Sequence, residues 1–277
     1  GEILDGDKVV GIVEDTYKPV EGIFSHLTSV TSELQIGKKY TLKVDMISRG
    51  YTMCNHTATH LLQSALIEVF GDHIKQAGSN VGPSRLRFDF THPESLKKEE
   101  LNQIEQLVNN QIKKQVPVNH QVMSKDKAVK LGAMALFGEK YGDLVRVIDI
   151  ANFSVELCGG THVKNTSEIG YFKILSESSL AAGVRRIEAV SNLGAYQYVD
   201  SKLLVLDQIE ACFSAKGDIL LTKLNQLQEN LLQSTKTIKI LKENIQTTEA
   251  QNLFDDVHKI KHDQDFKHIE ANADDDI

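Results

Sequence analysis

Asn55-His56-Thr57-Ala58-Thr59-His60-Leu61-Leu62-Gln63-Ser64-Ala65 is the stretch on which the reading of this chain turns. Ala58, Leu61, Leu62, Ala65 and Val69 recur at helical spacing, so Met53 to Phe70 reads as an α-helix, with Gly71 placed to end it. Residues four apart lie about 40° apart on the helical wheel, so His56 and His60 share a face that points away from the apolar stripe. Far downstream, Cys158-Gly159-Gly160-Thr161-His162 offers a thiol and an imidazole across a glycine pair, which suits a tight turn. Three histidines and one cysteine match zinc in number and kind of ligand. A zinc site built from His56, His60, Cys158 and His162 is therefore expected. Two surface histidines are the plain alternative.

Upstream of that helix, Lys8–Val13, Gly22–Phe24 and Tyr40–Asp45 are short β-rich runs divided by Gly, Pro and Asp turns, and suggest a small barrel or sandwich over residues 1–47. Downstream, Arg85-Leu86-Arg87-Phe88-Asp89-Phe90 alternates as a half-buried strand with its arginines facing outward. An amphipathic helix follows over 94–115, burying Leu101, Ile104, Val108 and Ile112. A strand over 116–123, a short helix over 125–131 and a loop over 137–142 come next. Strands over 144–150 and 153–157 deliver Cys158, and strands over 171–176 and 184–190 flank the turn at Ala181-Ala182-Gly183. This order predicts an α+β fold with antiparallel strands, in two layers over 48–200. Beyond it, Leu220, Leu224, Leu227, Leu231, Ser234, Ile238, Leu241 and Ile245 trace a heptad seam. Residues 201–254 therefore read as a helical or coiled-coil segment, either dimerising or folded back on Leu203–Ile209. Residues 255–277 read as a charged, mobile tail.

The chain has 277 residues, 31 basic and 38 acidic, for a net charge of −7, so no global basic field advertises nucleic acid, although a local patch would suffice. Cys54, Cys158 and Cys212 are too few for a disulfide framework, which favours a reducing, cytoplasmic setting. No apolar run suggests a membrane span or a signal peptide. The chain starts at Gly1 without a Met, which suggests a piece of a longer protein. The position after His56 is Thr57, where a common zinc protease carries its general-base glutamate, so protease chemistry is not expected. The two ligand pairs are also too far apart for a zinc finger. Thr59 and Gln76 are polar groups on or near the helix that either bind a small polar substrate or lie idle at the surface.

Several longer stretches resemble bacterial alanyl-tRNA synthetases: residues 55–62, Gln-Ala-Gly-Ser at 76–79, Arg-Leu-Arg-Phe-Asp-Phe at 85–90, and Gly-Ala-Met-Ala-Leu-Phe-Gly-Glu-Lys-Tyr-Gly at 132–142. So do Glu-Leu-Cys-Gly-Gly-Thr-His-Val at 156–163 and Ala-Ala-Gly-Val-Arg-Arg-Ile-Glu-Ala-Val at 181–190. The resemblance implies an editing domain over 48–200 that hydrolyses Ser-tRNA(Ala) and Gly-tRNA(Ala). It further implies zinc on His56, His60, Cys158 and His162, with Thr59 and Gln76 helping to tell serine from alanine. Arg85, Arg87, Arg185 and Arg186 are candidates for the phosphates of the tRNA acceptor end, with ion pairs as the alternative. The family's ATP-dependent aminoacylation motifs are absent here, so tRNA charging is not expected, and ATP would belong to that missing part. A homodimer through the heptad segment is a further expectation. Freestanding trans-editing proteins share the zinc motif, and threonyl-tRNA synthetases share a similar His/His/Cys arrangement. A non-catalytic tRNA-binding module stapled by zinc is the rival from another class.

Overall fold

The structure, a computed structural model, describes residues 1–20, 22–134 and 142–262, and the side chains of these up to residue 253. The chain divides into two compact units, Gly1–Ser201 and Lys202–Ile277.

The first unit opens with strands β1 (Glu2–Asp5), β2 (Lys8–Val20), β3 (Ile23–Val30) and β4 (Thr41–Lys43). They form one antiparallel sheet in the order β3-β2-β1-β4. Where sequence suggested a barrel or sandwich, the described residues give an open sheet with β3 and β4 as its edges. Strand β1, four residues long, is too short to show a period. Of the large apolar residues in this sheet, Ile3 and Val10 are buried, while Tyr17, Ile23, Phe24 and Leu27 are exposed.

Helix α1 runs from Met46 to Phe70, seven residues earlier than its periodicity implied. Asp45 caps it, its carboxylate accepting from the Ile47 and Ser48 amides at 3.0 Å, and the helix then passes through Gly50, which sequence alone reads as a break. Gly71 ends it with φ 95° and an amide bond to the Ile67 carbonyl. Strands β5 (Gln76–Val81) and β6 (Leu86–Thr91) follow, then α2 (Lys98–Lys113), β7 (Val118–Ser124) and α3 (Lys125–Lys130). Next come β8 (Leu144–Ile150), β9 (Ser154–Leu157), a 3₁₀ turn at Thr166–Ile169, β10 (Phe172–Ala181) and β11 (Val184–Ser191). The loop expected over 137–142 lies outside the described residues except for Gly142.

Two antiparallel sheets organise this region, β10-β11-β6-β5 and β7-β8-β9, so the fold is a mixture of helices and antiparallel sheets. Helices α1 and α2 pack against each other; α1 also contacts β5, β6 and β11, and α2 contacts β10. The core between them joins Leu61, Leu62, Leu66, Leu86, Phe88, Phe90, Ile104 and Phe172, all fully buried. The inward alternation read for residues 85–90 is thus present, with Leu86, Phe88 and Phe90 inside. A smaller cluster of Met123, Ala128, Val145, Val147 and Leu157 fixes α3 against β7 and β8. Helix α1 also contacts β9, the strand that leads into Cys158.

Helices α4 (Asn192–Phe213) and α5 (Gly217–His262) complete the chain. Along the expected seam Leu220 is buried, but Leu227, Leu231, Ile238, Leu241 and Ile245 are exposed, and so are Leu203 to Leu206. The fold-back onto Leu203–Ile209 is therefore not seen among the described residues. Helix α5 continues to His262, into the stretch expected to be a mobile tail, and 263–277 lie outside the described residues.

Candidate metal centre

His56 and His60 project from α1 on the face opposite its apolar stripe, as the helical wheel requires. That face is not open to solvent. His60 is 6% exposed, because β9 and the loop after it close over the helix. That loop carries Cys158 and His162, and their donor atoms fall within 4.8 Å of those of His56 and His60. His56 Nε2 lies 3.5 Å and His162 Nε2 3.3 Å from Cys158 Sγ. The three imidazole centroids are separated by 5.3, 4.3 and 4.8 Å. Zinc bonds of about 2.1 Å to nitrogen and 2.3 Å to sulfur place tetrahedral ligand atoms about 3.5 Å apart, so the spacing suits such an ion.

The glycine pair works differently from the turn expected of it. Neither Gly159 nor Gly160 has a positive φ. Gly160 is needed for space: a Cβ there would lie 2.1 Å from His56 Cε1, whereas one on Gly159 meets nothing within 4 Å. Arg146 holds the loop down by donating from Nη1 to the Gly160 carbonyl at 2.5 Å, and the Cys158 amide bonds the Arg146 carbonyl at 3.0 Å.

Two groups stand behind the cluster and contact its rings. The Thr57 hydroxyl donates to the Met53 carbonyl at 2.9 Å and accepts from the Val163 amide at 3.2 Å. The same hydroxyl lies 3.2 Å from His162 Nδ1 and so braces that ring from behind, with Nε2 turned to Cys158. Glu156 Oε2 sits 2.5 Å from His60 Nδ1, while Ser154 donates to Glu156 Oε1 at 2.7 Å. Both ring nitrogens of His60 are fully buried and make no well-formed hydrogen bond among the described residues, Nδ1 having only its ion-pair contact with Glu156. A buried imidazole nitrogen with no such partner, aimed at a thiol and two more imidazoles, is the environment a soft divalent cation satisfies, so the residues fit zinc.

The titration of the metal-free cluster follows from the same contacts. Burial alone would raise the Cys158 thiol, but hydrogen bonding by His162, His56 and His60 outweighs it and pulls the pKa down to about 3. Burial likewise disfavours the His60 imidazolium, yet the Glu156 carboxylate and the Cys158 sulfur prevail and lift it to about 10. For His162 burial wins, aided by the charges of His60 and His56, and its pKa falls to about 4. Cys54 takes no part. Its Sγ faces the Glu168 carbonyl at 3.2 Å, and burial pushes its thiol up.

The other sequence candidates are more scattered. Thr59 is buried on α1 and spends its proton on the Asn55 carbonyl at 2.9 Å. Gln76 starts β5 and donates to Ser79 Oγ at 3.3 Å. Neither is hydrogen-bonded to the ligand cluster among the described residues. Each arginine faces a carboxylate. Arg186 is bidentate on buried Asp89 at 2.7 and 2.9 Å, and Arg87 approaches the same group at 3.7 Å. Arg185 pairs with Glu177 at 2.5 Å, and Arg85, with a side chain 60% exposed, pairs with Glu188 at 3.3 Å. Sequence reasoning gave no role to Glu156 or Thr57. Glu156 stands two residues before Cys158, hence on the same side of an alternating strand, which was the available signal. Asn55 is a structural clamp: its side chain donates to the Gly82 carbonyl at 2.8 Å and accepts from the Ser191 amide and hydroxyl at 3.1 and 2.7 Å.

A groove of about 450 Å³ borders the ligand loop at Thr161, and Lys43, Asp45, Ser48, Arg49 and Thr52 contribute to its lining. Among the described residues no helix is long and apolar enough to cross a membrane.

Residues 145–188 match the family model described as the threonyl and alanyl tRNA synthetase second additional domain. That span includes Cys158 and His162 but not His56 and His60, which only the fold brings to them. Over most of its length the chain is also similar to alanine–tRNA ligases. It is 48% identical to that of Fervidobacterium nodosum over 230 residues, covering 83% of this chain and 26% of the relative. It is 43% identical to that of Lactobacillus johnsonii over 277 residues, covering 99% and 31%. The figures for Thermotoga maritima are 42% over 267 residues, covering 95% and 31%. The chain thus spans between a quarter and a third of the length of these relatives.

Proposed function

From a chain that is homologous to a segment of the alanine–tRNA ligases and carries their second additional domain, we propose an editing hydrolase acting on mischarged tRNA(Ala). The substrates are Ser-tRNA(Ala) and Gly-tRNA(Ala). A pocket that accepts alanine rejects a side chain one hydroxyl larger or one methyl smaller by only about 1–3 kcal/mol, so hydrolysis of the wrong product adds discrimination that binding cannot. The observation that carries this reading is the His56/His60/Cys158/His162 cluster, assembled across two distant parts of the chain.

The reaction is ester hydrolysis. Water adds to the carbonyl carbon of the aminoacyl ester, the bond to the terminal ribose oxygen breaks, and that oxygen takes up a proton as the free amino acid leaves. His56, His60, Cys158 and His162 would hold zinc, which when bound supplies Lewis-acid polarisation and a lowered pKa for water. The remaining work falls to the protein. Thr57 braces the His162 ring, and Gly160 lets the loop close on His56. We assign Thr59 and Gln76 to sensing the serine hydroxyl. The groove beside Thr161 is the approach for the aminoacylated end, and Arg85, as an exposed cation, leads Arg87, Arg185 and Arg186 as a phosphate contact.

In the same reading, residues 1–47 are an N-terminal β-sheet segment, 48–200 the editing domain, 201–254 the helical segment through which two copies pair, and 255–277 a charged tail. Aminoacylation with ATP belongs to the remainder of the relatives' length.

Four protein ligands also fill the usual coordination sphere of a structural zinc, which favours as second reading a module that binds tRNA(Ala) without cleaving it. Deacylation of Ser-tRNA(Ala) by the whole chain and by its His60→Ala and Cys158→Ala variants, with metal content measured alongside, decides between them. Editing predicts turnover in the parent chain and a loss of about a hundredfold or more in both variants, since Lewis-acid stabilisation contributes several kcal/mol. Tight zinc without turnover establishes the second reading.

A further inference from the structure

We propose that Glu156 is a positioning residue that holds His60 in the one tautomer and orientation able to serve the metal centre. This rests on the metal reading above and goes beyond it by naming what keeps a ligand in place. Glu156 is 2% exposed, and an ionised carboxylate so deeply buried is costly unless its oxygens are compensated. Here both oxygens are used. Oε1 accepts from the Ser154 hydroxyl at 2.7 Å, and Oε2 lies 2.5 Å from His60 Nδ1. With Oε1 tethered, the side chain is fixed by its own strand, so Oε2 is presented to His60 as a rigid acceptor.

The geometry leaves the other nitrogen a single task. The 2.5 Å approach of Glu156 Oε2 engages Nδ1 and leaves Nε2 as the nitrogen free to serve the centre; beyond that ion-pair contact, neither ring nitrogen has a well-formed hydrogen-bond partner among the described residues. Carboxylates placed behind metal-bound histidines fix the ring and make it more basic. The contrast with His162 is informative, since its Nδ1 rests on the neutral Thr57 hydroxyl at 3.2 Å.

The test uses the whole chain with Glu156→Ala, Glu156→Gln and Ser154→Ala. Zinc affinity is read by chelator competition, the cobalt-loaded protein by its d–d absorption bands, and His60 by its imidazole ¹⁵N shifts. Glu156→Ala is expected to weaken zinc roughly 10- to 100-fold, to shift the cobalt bands and to scramble the His60 tautomer. Glu156→Gln keeps an oxygen for Nδ1–H and is expected to recover much of that loss, and Ser154→Ala to lose less than either. A folded Glu156→Ala protein with parental zinc affinity and unchanged cobalt bands overturns the proposal. If that variant does not fold, parental values in both Glu156→Gln and Ser154→Ala overturn it instead. A parental chain that binds no zinc is a separate outcome, which defeats the metal reading and this inference with it.

Discussion

Helices α1 and α5 look alike in sequence, each with leucines and isoleucines at helical spacing, yet they end in opposite surroundings. From Cys54 to Leu66 every residue of α1 is buried except His56, which is half-buried. Along the 46 residues of α5 the seam positions Leu227, Leu231, Ile238, Leu241 and Ile245 remain more than half exposed. Apolar spacing therefore sets which face is ready for burial, and the number of other elements reaching the helix sets how much of it is covered. On α1 the polar face is covered too, so Asn55, Thr57, Thr59 and His60 must each find a partner inside the protein. A helix enclosed on all sides is where such groups become a site.

The strongest way to break this comparison is to remove matching leucines. Leu61→Ala on α1, at 0% exposure, is expected to cost about 3 kcal/mol in urea unfolding, as a lost side chain plus a cavity. A cost below about 1 kcal/mol would mean that α1 is less enclosed than described. Gly160→Ala tests how closely the loop lies on α1. The new methyl must displace the His56 ring, so a stability loss of about 1–3 kcal/mol and weaker zinc binding are expected, while Gly159→Ala stays near the parent. Equal effects at the two glycines would show that space is not the reason for Gly160.

A pH series sharpens the electrostatic side of the same enclosure. In the chelator-treated protein Cys158 is depressed to about 3 from 9.0, and His60 is raised to about 10 from 6.5. Between pH 6.5 and 9 the unfolded chain holds the proton on the thiol and the folded chain holds it on His60, so this pair leaves stability flat. Below 6.5 the unfolded state binds one proton more, and His162, depressed to about 4, adds another, so stability falls as pH drops. Above 9 the folded state alone keeps its proton, and stability falls as pH rises toward 10. Chemical denaturation of the parent minus a Cys158→Ser/His60→Ala/His162→Ala variant should show that plateau with two falling shoulders. A difference that does not vary with pH would refute the assignment.

Smaller effects bracket the ends of the comparison. Gly50 lies inside α1 before its enclosed part, and an added Cβ there meets nothing within 4 Å. Gly50→Ala should thus raise stability by about 0.5–1 kcal/mol, detectable as a higher melting temperature. Leu231→Ala on α5, at 66% exposure, should change it by less than about 0.5 kcal/mol. If its cost grows with protein concentration, a second copy covers the seam in solution.

Much of this was legible in the residues. The period of α1, the alternation of β6, the strand into Cys158 and the convergence of His56, His60, Cys158 and His162 follow from spacing and side-chain chemistry. The misses have local causes. Strand β5 contains Gly78, Ser79 and Asn80, which look like a loop, and is a strand because it pairs with β6; Gly78 passes where a Cβ would lie 3.3 Å from an Asp89 oxygen. The early start of α1 was hidden by Gly50 and revealed by the Asp45 cap. Glu156 was passed over because a glutamate within a strand ordinarily faces water, although its place two residues before Cys158 puts it on the side that α1 covers.

His56 and Cys158 are 102 positions apart in the chain, with five strands and two helices between them among the described residues. The entropy of closing so long a segment rises only slowly with its length, about 0.6 kcal/mol per doubling, so the separation itself is a mild obstacle. What it imposes is an order of events. Helix α1 can form early, but its histidines have no Cys158 and His162 to meet until β8 and β9 have paired and settled against it. An ion that binds only the completed arrangement would therefore be captured after the topology is decided, and would stabilise the domain by mass action.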